Sequence, residues 1–167
     1  MWLVLGRDEQ QVFQGYSDAD GMSTDGRRPI MGYIFFLAGG AISWSSKRAD
    51  LVTLSTTEAE YVALTHAAKE AIWLQKFFNE LFGNNQVIEM HSDNQGAIAL
   101  SKDDRFHQRT KHIDIRYHFI RQHIENGNIT LVYCPTENMT ADILTKALPS
   151  MKQKHFASSL GLIRLSH

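Results

Sequence analysis

The chain predicts a mixed α/β (α+β) domain, a sheet with helices packed on it, and three observations carry that expectation. Two aromatic and β-branched runs flank a Gly39-Gly40 break, so the fold opens on antiparallel strands. The stretch from Ser55 to Phe82 keeps one helical period between a capping signal and a glycine stop. Beyond it, short apolar runs alternate with further helical patterns, giving the order βββαβααβα.

Taken in turn, Val12 to Ser17 alternates weakly and ends in the polar run Asp18 to Pro29, a strand followed by a loop. Met31 to Ala38 and Ala41 to Lys47 form the hairpin. Ser55-Thr-Thr-Glu58 has the S-x-x-E capping form, Tyr61, Leu64, Ala68, Ile72 and Phe78 recur at helical spacing, and Gly83 stops the helix. Val87 to Ser92 is a strand running into Asp93-Asn-Gln-Gly and a helix to about Lys102. His112 to Asn126 carries an apolar stripe at Ile113, Tyr117, Ile120 and Ile124, and Gly127 ends it. Ile129 to Cys134 is another strand, and Asn138 is expected to cap a helix through Ala147.

At 167 residues, the expectation is a single domain over 1–167, with its core at about 12–148 and a basic extension over 149–167. One cysteine, Cys134, argues against a disulfide scaffold or a cysteine zinc site. No apolar run approaches the roughly 18 residues of a membrane span, and Met1 to Leu5 is too brief for a signal peptide. A reducing, intracellular setting is expected. Net charge is only −1, but its distribution is uneven. Residues 1–101 carry 7 Lys and Arg against 12 Asp and Glu, and residues 102–167 carry 10 against 6. That asymmetry suits a negatively charged ligand, with a cation to manage the acids.

The acids fall at element ends. Asp18 closes the first strand and Asp93 the strand before the middle helix, so adjacent strands would bring both to one sheet edge. Glu58 and Glu60 lie on the long helix, and Asp142 on the last. Clustered carboxylates raise one another's pKa and call for a cation. Hard oxygen donors with open coordination favour Mg²⁺, and two such ions about 4 Å apart activate water and stabilise a leaving oxygen at a phosphodiester.

Six strings carry a resemblance: Gly15-Tyr-Ser-Asp18-Ala-Asp, Ile42-Ser-Trp-Ser-Ser-Lys47, Leu54-Ser-Thr-Thr-Glu-Ala-Glu-Tyr61, Ser92-Asp-Asn-Gln95, Arg109-Thr-Lys-His-Ile-Asp-Ile-Arg-Tyr-His118 and Ala141-Asp-Ile-Leu-Thr-Lys146. Over about residues 12–148 the chain resembles the ribonuclease H domain of copia-type (Pseudoviridae) LTR retrotransposon polyproteins. The resemblance implies a ribonuclease H-like fold, a five-stranded mixed sheet flanked by helices. It implies two-Mg²⁺ hydrolysis of the RNA strand of an RNA·DNA hybrid, with Mn²⁺ able to substitute. The implied partners are the hybrid and the reverse transcriptase domain of a parent polyprotein, for a monomeric, membrane-free domain in the cytoplasm or in virus-like particles. Its four acids map to Asp18, the long-helix glutamate, Asp93 and Asp142. Glu60 is the better second acid, because it shares a face with Leu64, Ala67, Ala71 and Leu74. Glu58 is the alternative, but it is the partner of Ser55 in the capping box and shares the more polar face of Val62, Thr65, Lys69 and Lys76.

Around the acids, Thr56, Thr57 and Gln95 stand where the wider family contacts the hybrid's minor groove, and Arg109, Lys111 and Arg116 are candidate phosphate contacts. Asp20 and Asp25 are turn residues, Asp20 with a supporting role at the metal as the alternative. The loop Cys134-Pro-Thr-Glu-Asn138 lacks the histidine of cellular enzymes, and Glu137 is the candidate for its place. Two rivals stand beside this reading: a non-catalytic nucleic-acid-binding module of the same fold, and an integrase or transposase-type relative.

Overall fold

The longest element starts where local chemistry starts it. Ser55 is extended (φ −151°) and its hydroxyl accepts from the Glu58 N–H at 3.1 Å, while the Glu58 carboxylate reaches back to the Leu54 N–H at 2.7 Å. Helix α1 then runs Thr56–Phe82 until Gly83 turns left-handed at φ 65°. The computed structural model describes residues 2–3, 5–6, 13–20, 28–83, 85–102 and 111–163.

Ahead of α1 lie β1 (Trp2–Leu3), β2 (Gln14–Ala19), β3 (Ile30–Leu37) and β4 (Gly40–Arg48). After it come β5 (Ile88–Ser92), α2 (Gln95–Lys102), α3 (Lys111–Glu125), β6 (Ile129–Tyr133), a 3₁₀ turn (Thr136–Asn138), α4 (Asp142–Thr145), α5 (Ser150–Ser159) and β7 (Leu162–Ile163). Five strands form one mixed sheet in the order β4-β3-β2-β5-β6. The β2–β3 and β3–β4 pairs are antiparallel, and β2–β5 and β5–β6 are parallel. Strand β2 is therefore where the sheet changes sense, and its C-terminal end and that of β5 point the same way.

Apolar periodicity packs both faces of this sheet. From α1, the buried Leu64, Ala67, Ala71 and Leu74 meet Phe35, Ile88, Met90 and Ile129, with Tyr117 and Ile120 of α3 closing that layer. Tyr61 lies 4.1 Å, ring centroid to centroid, from Tyr117. Val62 and Thr65, on the face expected to be more polar, are buried as well. Val62 packs with Ala19 and Met31, and the Thr65 hydroxyl donates to the Tyr61 carbonyl at 2.8 Å. On the opposite face, Ile34, Ala41, Met139, Ala141 and Leu160 form a second cluster.

The end of the chain departs from expectation. Asn138 closes the 3₁₀ turn, the helix expected from it through Ala147 is only the four-residue α4, and α5 lies beyond that expected helix. Pro149 separates the two, being extended at ψ 146° immediately before Ser150. Residues 149–163 pack against the rest of the fold. Phe156 is buried, Leu160 joins the second cluster, and β7 pairs antiparallel with β1.

Candidate active site

The register of the sheet sets the acids. Asp18 faces Gly32 across the β2–β3 ladder, at the end of β2 and fully buried. Asp93 follows the last residue of β5, on the neighbouring parallel strand. Glu60, one turn into α1, points at the same edge: its Oε2 accepts from the Ala19 N–H at 3.1 Å. Donor oxygens of Asp18, Glu60 and Asp93 all lie within 4.8 Å of one another. Glu60 lies in this convergence, whereas the Glu58 carboxylate is held by the Leu54 N–H. Replacing Glu58 by Gln should therefore leave thermal stability and site chemistry alone. Glu58→Ala should lower stability by about 1 kcal/mol or less, read as a small loss in melting temperature with cleavage retained.

Asp142 does not join the three; lysines hold it. At the first position of α4 it is nearly fully buried, its Oδ1 accepting from Lys146 Nζ at 2.9 Å and its Oδ2 from Lys152 Nζ at 2.8 Å. The same Lys146 ammonium donates to Asp18 Oδ1 at 3.0 Å, so it bridges the last acid to the first. Asp18 Oδ2 accepts from Thr145 Oγ1, and Asp93 Oδ2 from Thr136 Oγ1 at 2.9 Å. Four carboxylates thus face two ammonium groups.

That imbalance shows in the acids themselves. Burial, then the charges of Asp18 and Asp93, push the Glu60 carboxyl up to about 9 from its ordinary 4.5. Asp18 is raised to about 6 by burial, with the Thr145 hydroxyl and Lys146 pulling the other way. Lys146 is raised by its bonds to Asp142 and Asp18, which outweigh its own burial. A buried oxygen-only cluster whose charge is incompletely matched is the donor set that hard divalent cations take, so these residues fit such a cation.

Among the other expected residues, Thr56, Thr57 and Gln95 lie at the adjacent starts of α1 and α2, where a Cβ placed on Gly96 would come within 3.3 Å of Thr57 Cγ2. The Asp20 backbone N–H donates to the Ile30 carbonyl at 2.8 Å, one position beyond the end of the β2–β3 ladder. Glu137 lies in the exposed 3₁₀ turn beside Cys134, whose thiol is raised by burial and by Asp93, Glu137 and Asp142. Arg116, on α3, lines a pocket against α1. Asp25, Arg109 and the Lys111 side chain lie outside the described residues.

Sequence reasoning missed Thr136, Thr145, Lys146, Lys152 and Gly32. The i,i+4 spacing of Asp142 and Lys146 was the available signal for one ion pair. Lys146 and Lys152 both hold acids of this site. Gly32 matters by what it lacks: a Cβ there would lie 2.8 Å from Thr145 Cγ2 and 3.0 Å from Leu144 Cβ. Its bare backbone lets α4 press onto β3 opposite Asp18. Gly32→Ala should cost about 1–3 kcal/mol by overpacking, seen as a lowered melting temperature, and should weaken cleavage by lifting Thr145 and Asp142 away from Asp18.

Comparison with known proteins places this geometry. No family model matches the chain. The retrovirus-related Pol polyprotein from transposon TNT 1-94 of Nicotiana tabacum is 45% identical over 142 residues, covering 84% of this chain. The corresponding polyprotein from transposon RE2 of Arabidopsis thaliana is 38% identical over 167 residues, covering 98% of it. The chain spans 11% of the length of each of these relatives. Among solved structures, LC11-RNase H1 in complex with RNA/DNA hybrid superposes with a TM-score of 0.57 at 20% identity, over 80% of this chain and 93% of that one. The five-stranded mixed sheet with its flanking helices is the ribonuclease H fold.

Proposed function

From the premise that this chain belongs with the ribonuclease H domains of copia-type LTR retrotransposon Pol polyproteins, we propose that it hydrolyses the RNA strand of RNA·DNA hybrids. The observation that carries the reading is the convergence of Asp18, Glu60 and Asp93 at the sheet edge, with buried Asp142 tied to them through Lys146. Bound Mg²⁺, or Mn²⁺ in its place, would supply water activation and charge neutralisation at the scissile phosphate. Asp18, Glu60 and Asp93 would hold the cations, with Asp142 as the fourth ligand once its lysines yield it. The Thr145 hydroxyl, the Ala19 N–H and the Thr136 hydroxyl each fix one carboxylate oxygen, and Lys146 holds the second oxygen of Asp18.

In the reaction a water oxygen bonds to phosphorus in line with the departing 3′-oxygen, and that P–O bond breaks. The products are a 3′-hydroxyl and a 5′-phosphate. Thr56, Thr57 and Gln95, at the helix starts beside the acids, would lie along the minor groove, where 2′-hydroxyls mark the RNA strand. The chain would work beside the reverse transcriptase of its parent polyprotein, inside the cell and as a monomeric domain. Among the described residues no helix is long and apolar enough to cross a membrane. A module that only gripped nucleic acid would have no use for a carboxylate as costly to bury as Glu60, which favours the catalytic reading.

The deciding experiment is cleavage of end-labelled RNA·DNA hybrid, duplex DNA and single-stranded RNA, each with Mg²⁺ or EDTA. Cutting confined to the RNA of the hybrid and abolished by EDTA is expected. Cutting of duplex DNA, or none of any substrate, overturns the assignment.

A further inference from the structure

Resting on the reading of Asp142 as the fourth metal ligand, we propose that its two lysines yield it in different ways. Lys146 has to leave its oxygen, while Lys152 of α5 stays on the other and is a positioning residue that presents the carboxylate. By exposure the lysines are alike, each with 31% of its side chain accessible. Their partners separate them.

Lys146 Nζ bonds two carboxylate oxygens, Asp18 Oδ1 at 3.0 Å and Asp142 Oδ1 at 2.9 Å. That ammonium holds the place between first and last acid that a shared cation would need. Lys152 Nζ meets Asp142 on its other oxygen, Oδ2, at 2.8 Å. Its remaining contacts lie outside the acids: it donates to the Thr136 carbonyl at 3.3 Å and stands 5.1 Å from the centroid of the Phe156 ring. An ammonium has three N–H donors, and here a carboxylate, a carbonyl and an aromatic face surround it. None of these contacts is lost when Asp142 Oδ1 turns to a cation, so Lys152 stays.

This anchorage belongs to α5. Phe156 follows Lys152 by four residues on that helix and is buried, which fixes the ring. Lys152 itself lies in the first turn of α5, where a cation opposes the helix macrodipole, and α5 has no acid of its own in that turn. The helix therefore gains nothing from a lysine there, whereas Asp142 does. Thr136 extends the effect to a second acid, because the residue whose carbonyl holds Lys152 also donates its hydroxyl to Asp93 Oδ2 at 2.9 Å. One ammonium thus sets Asp142 directly and Asp93 through the 3₁₀ turn. Helix α5, beyond the residues that carry the family resemblance, is part of the site.

The test measures the Mn²⁺ affinity of the full chain without substrate, from the electron paramagnetic resonance of the free ion, for Lys146→Met and Lys152→Met side by side. Removing a competitor strengthens binding, and removing an orienting partner weakens it. Lys146→Met should bind Mn²⁺ more tightly than the wild type and Lys152→Met about tenfold more weakly, although each loses one positive charge. Tenfold is the low end for such partners, because the lost charge by itself favours the cation. Lys152→Arg keeps charge and donors and should recover most of the affinity, which a packing defect would not allow. In cleavage at limiting Mg²⁺, Lys152→Met should lower kcat by a similar factor and leave the KM for hybrid unchanged, since the residue acts on the acids. Should Lys152→Met fail to fold, Lys152→Gln keeps one donor and carries the same comparison. Mn²⁺ affinity in the Lys152 variant equal to or above the wild type's overturns the positioning role and makes both lysines competitors. Because this readout needs no substrate, failure of the cleavage reading shows separately, as a wild type that binds Mn²⁺ and leaves hybrid intact. A wild type that binds no Mn²⁺ overturns both.

Discussion

Glu60→Gln is expected to make the metal-free protein more stable while abolishing hybrid cleavage and weakening the stabilisation by Mg²⁺. The sign follows from the carboxyl's displacement to about 9 from its ordinary 4.5. Between those values the folded state keeps a proton that the unfolded state has released, so stability is greatest below about 4.5 and is lost as pH rises toward 9. At neutral pH the loss is of the order of 3 kcal/mol. A glutamine of the same shape carries no such penalty, and its amide oxygen can still accept from the Ala19 N–H. The melting temperature of the variant at neutral pH should thus rise by several degrees and lose most of its decline between pH 5 and 9. Its response to millimolar Mg²⁺ should shrink, because an anionic donor is gone. A variant that melts lower than the wild type and still gains from Mg²⁺ would place the repulsion elsewhere.

Lys146→Met should act in the opposite direction. Its ammonium serves Asp18 and Asp142 together, with 31% of the side chain exposed against 0% and 2% for its partners. Removing one member of a buried ion pair leaves an uncompensated charge, a loss typically of 3–5 kcal/mol. Partial exposure of the ammonium puts this case at the lower end, about 3 kcal/mol. The metal-free variant should melt well below the wild type. Millimolar Mg²⁺ should then raise its melting temperature by more than it raises the wild type's, since the cation no longer competes with a resident ammonium. An equal or smaller metal response would show that Lys146 and the divalent cation do not compete for these oxygens.

Much of this arrangement was legible in the residues. The capping box at Ser55 and Glu58, the glycine at 83 and the face shared by Glu60, Leu64, Ala67 and Ala71 are local or periodic features, and the structure has each of them. Strand ends placed Asp18 and Asp93, because adjacency in a parallel pair needs only their order in the chain. The region after β6 was not legible in the same way. Between Pro135 and Pro149 the stretch is too short to show a helical period, so the helix expected from Asn138 through Ala147 is only the four residues of α4, and α5 went unread. The lysines escaped for a different reason. Lys146 and Lys152 look like solvent-facing cations in sequence, and only the fold of α4 and α5 turns both ammonium groups inward to Asp142. Arg116, named for its charge alone, could not be tied to Lys47 and His66, which line the same pocket from 69 and 50 positions away in the chain.

The missing methyl at Gly32 bears on how other copies of such a sequence should be judged. A genomic element accumulates substitutions once selection on it relaxes, and the usual check for a working copy is whether the acids survive. Here a single change at Gly32 would lift α4 from β3 and part Asp142 and Thr145 from Asp18, with every carboxylate still in place. An intact set of acids is therefore an incomplete diagnosis of competence. Position 32 belongs in it, because a side chain there would press on Thr145 and Leu144 from beneath the site.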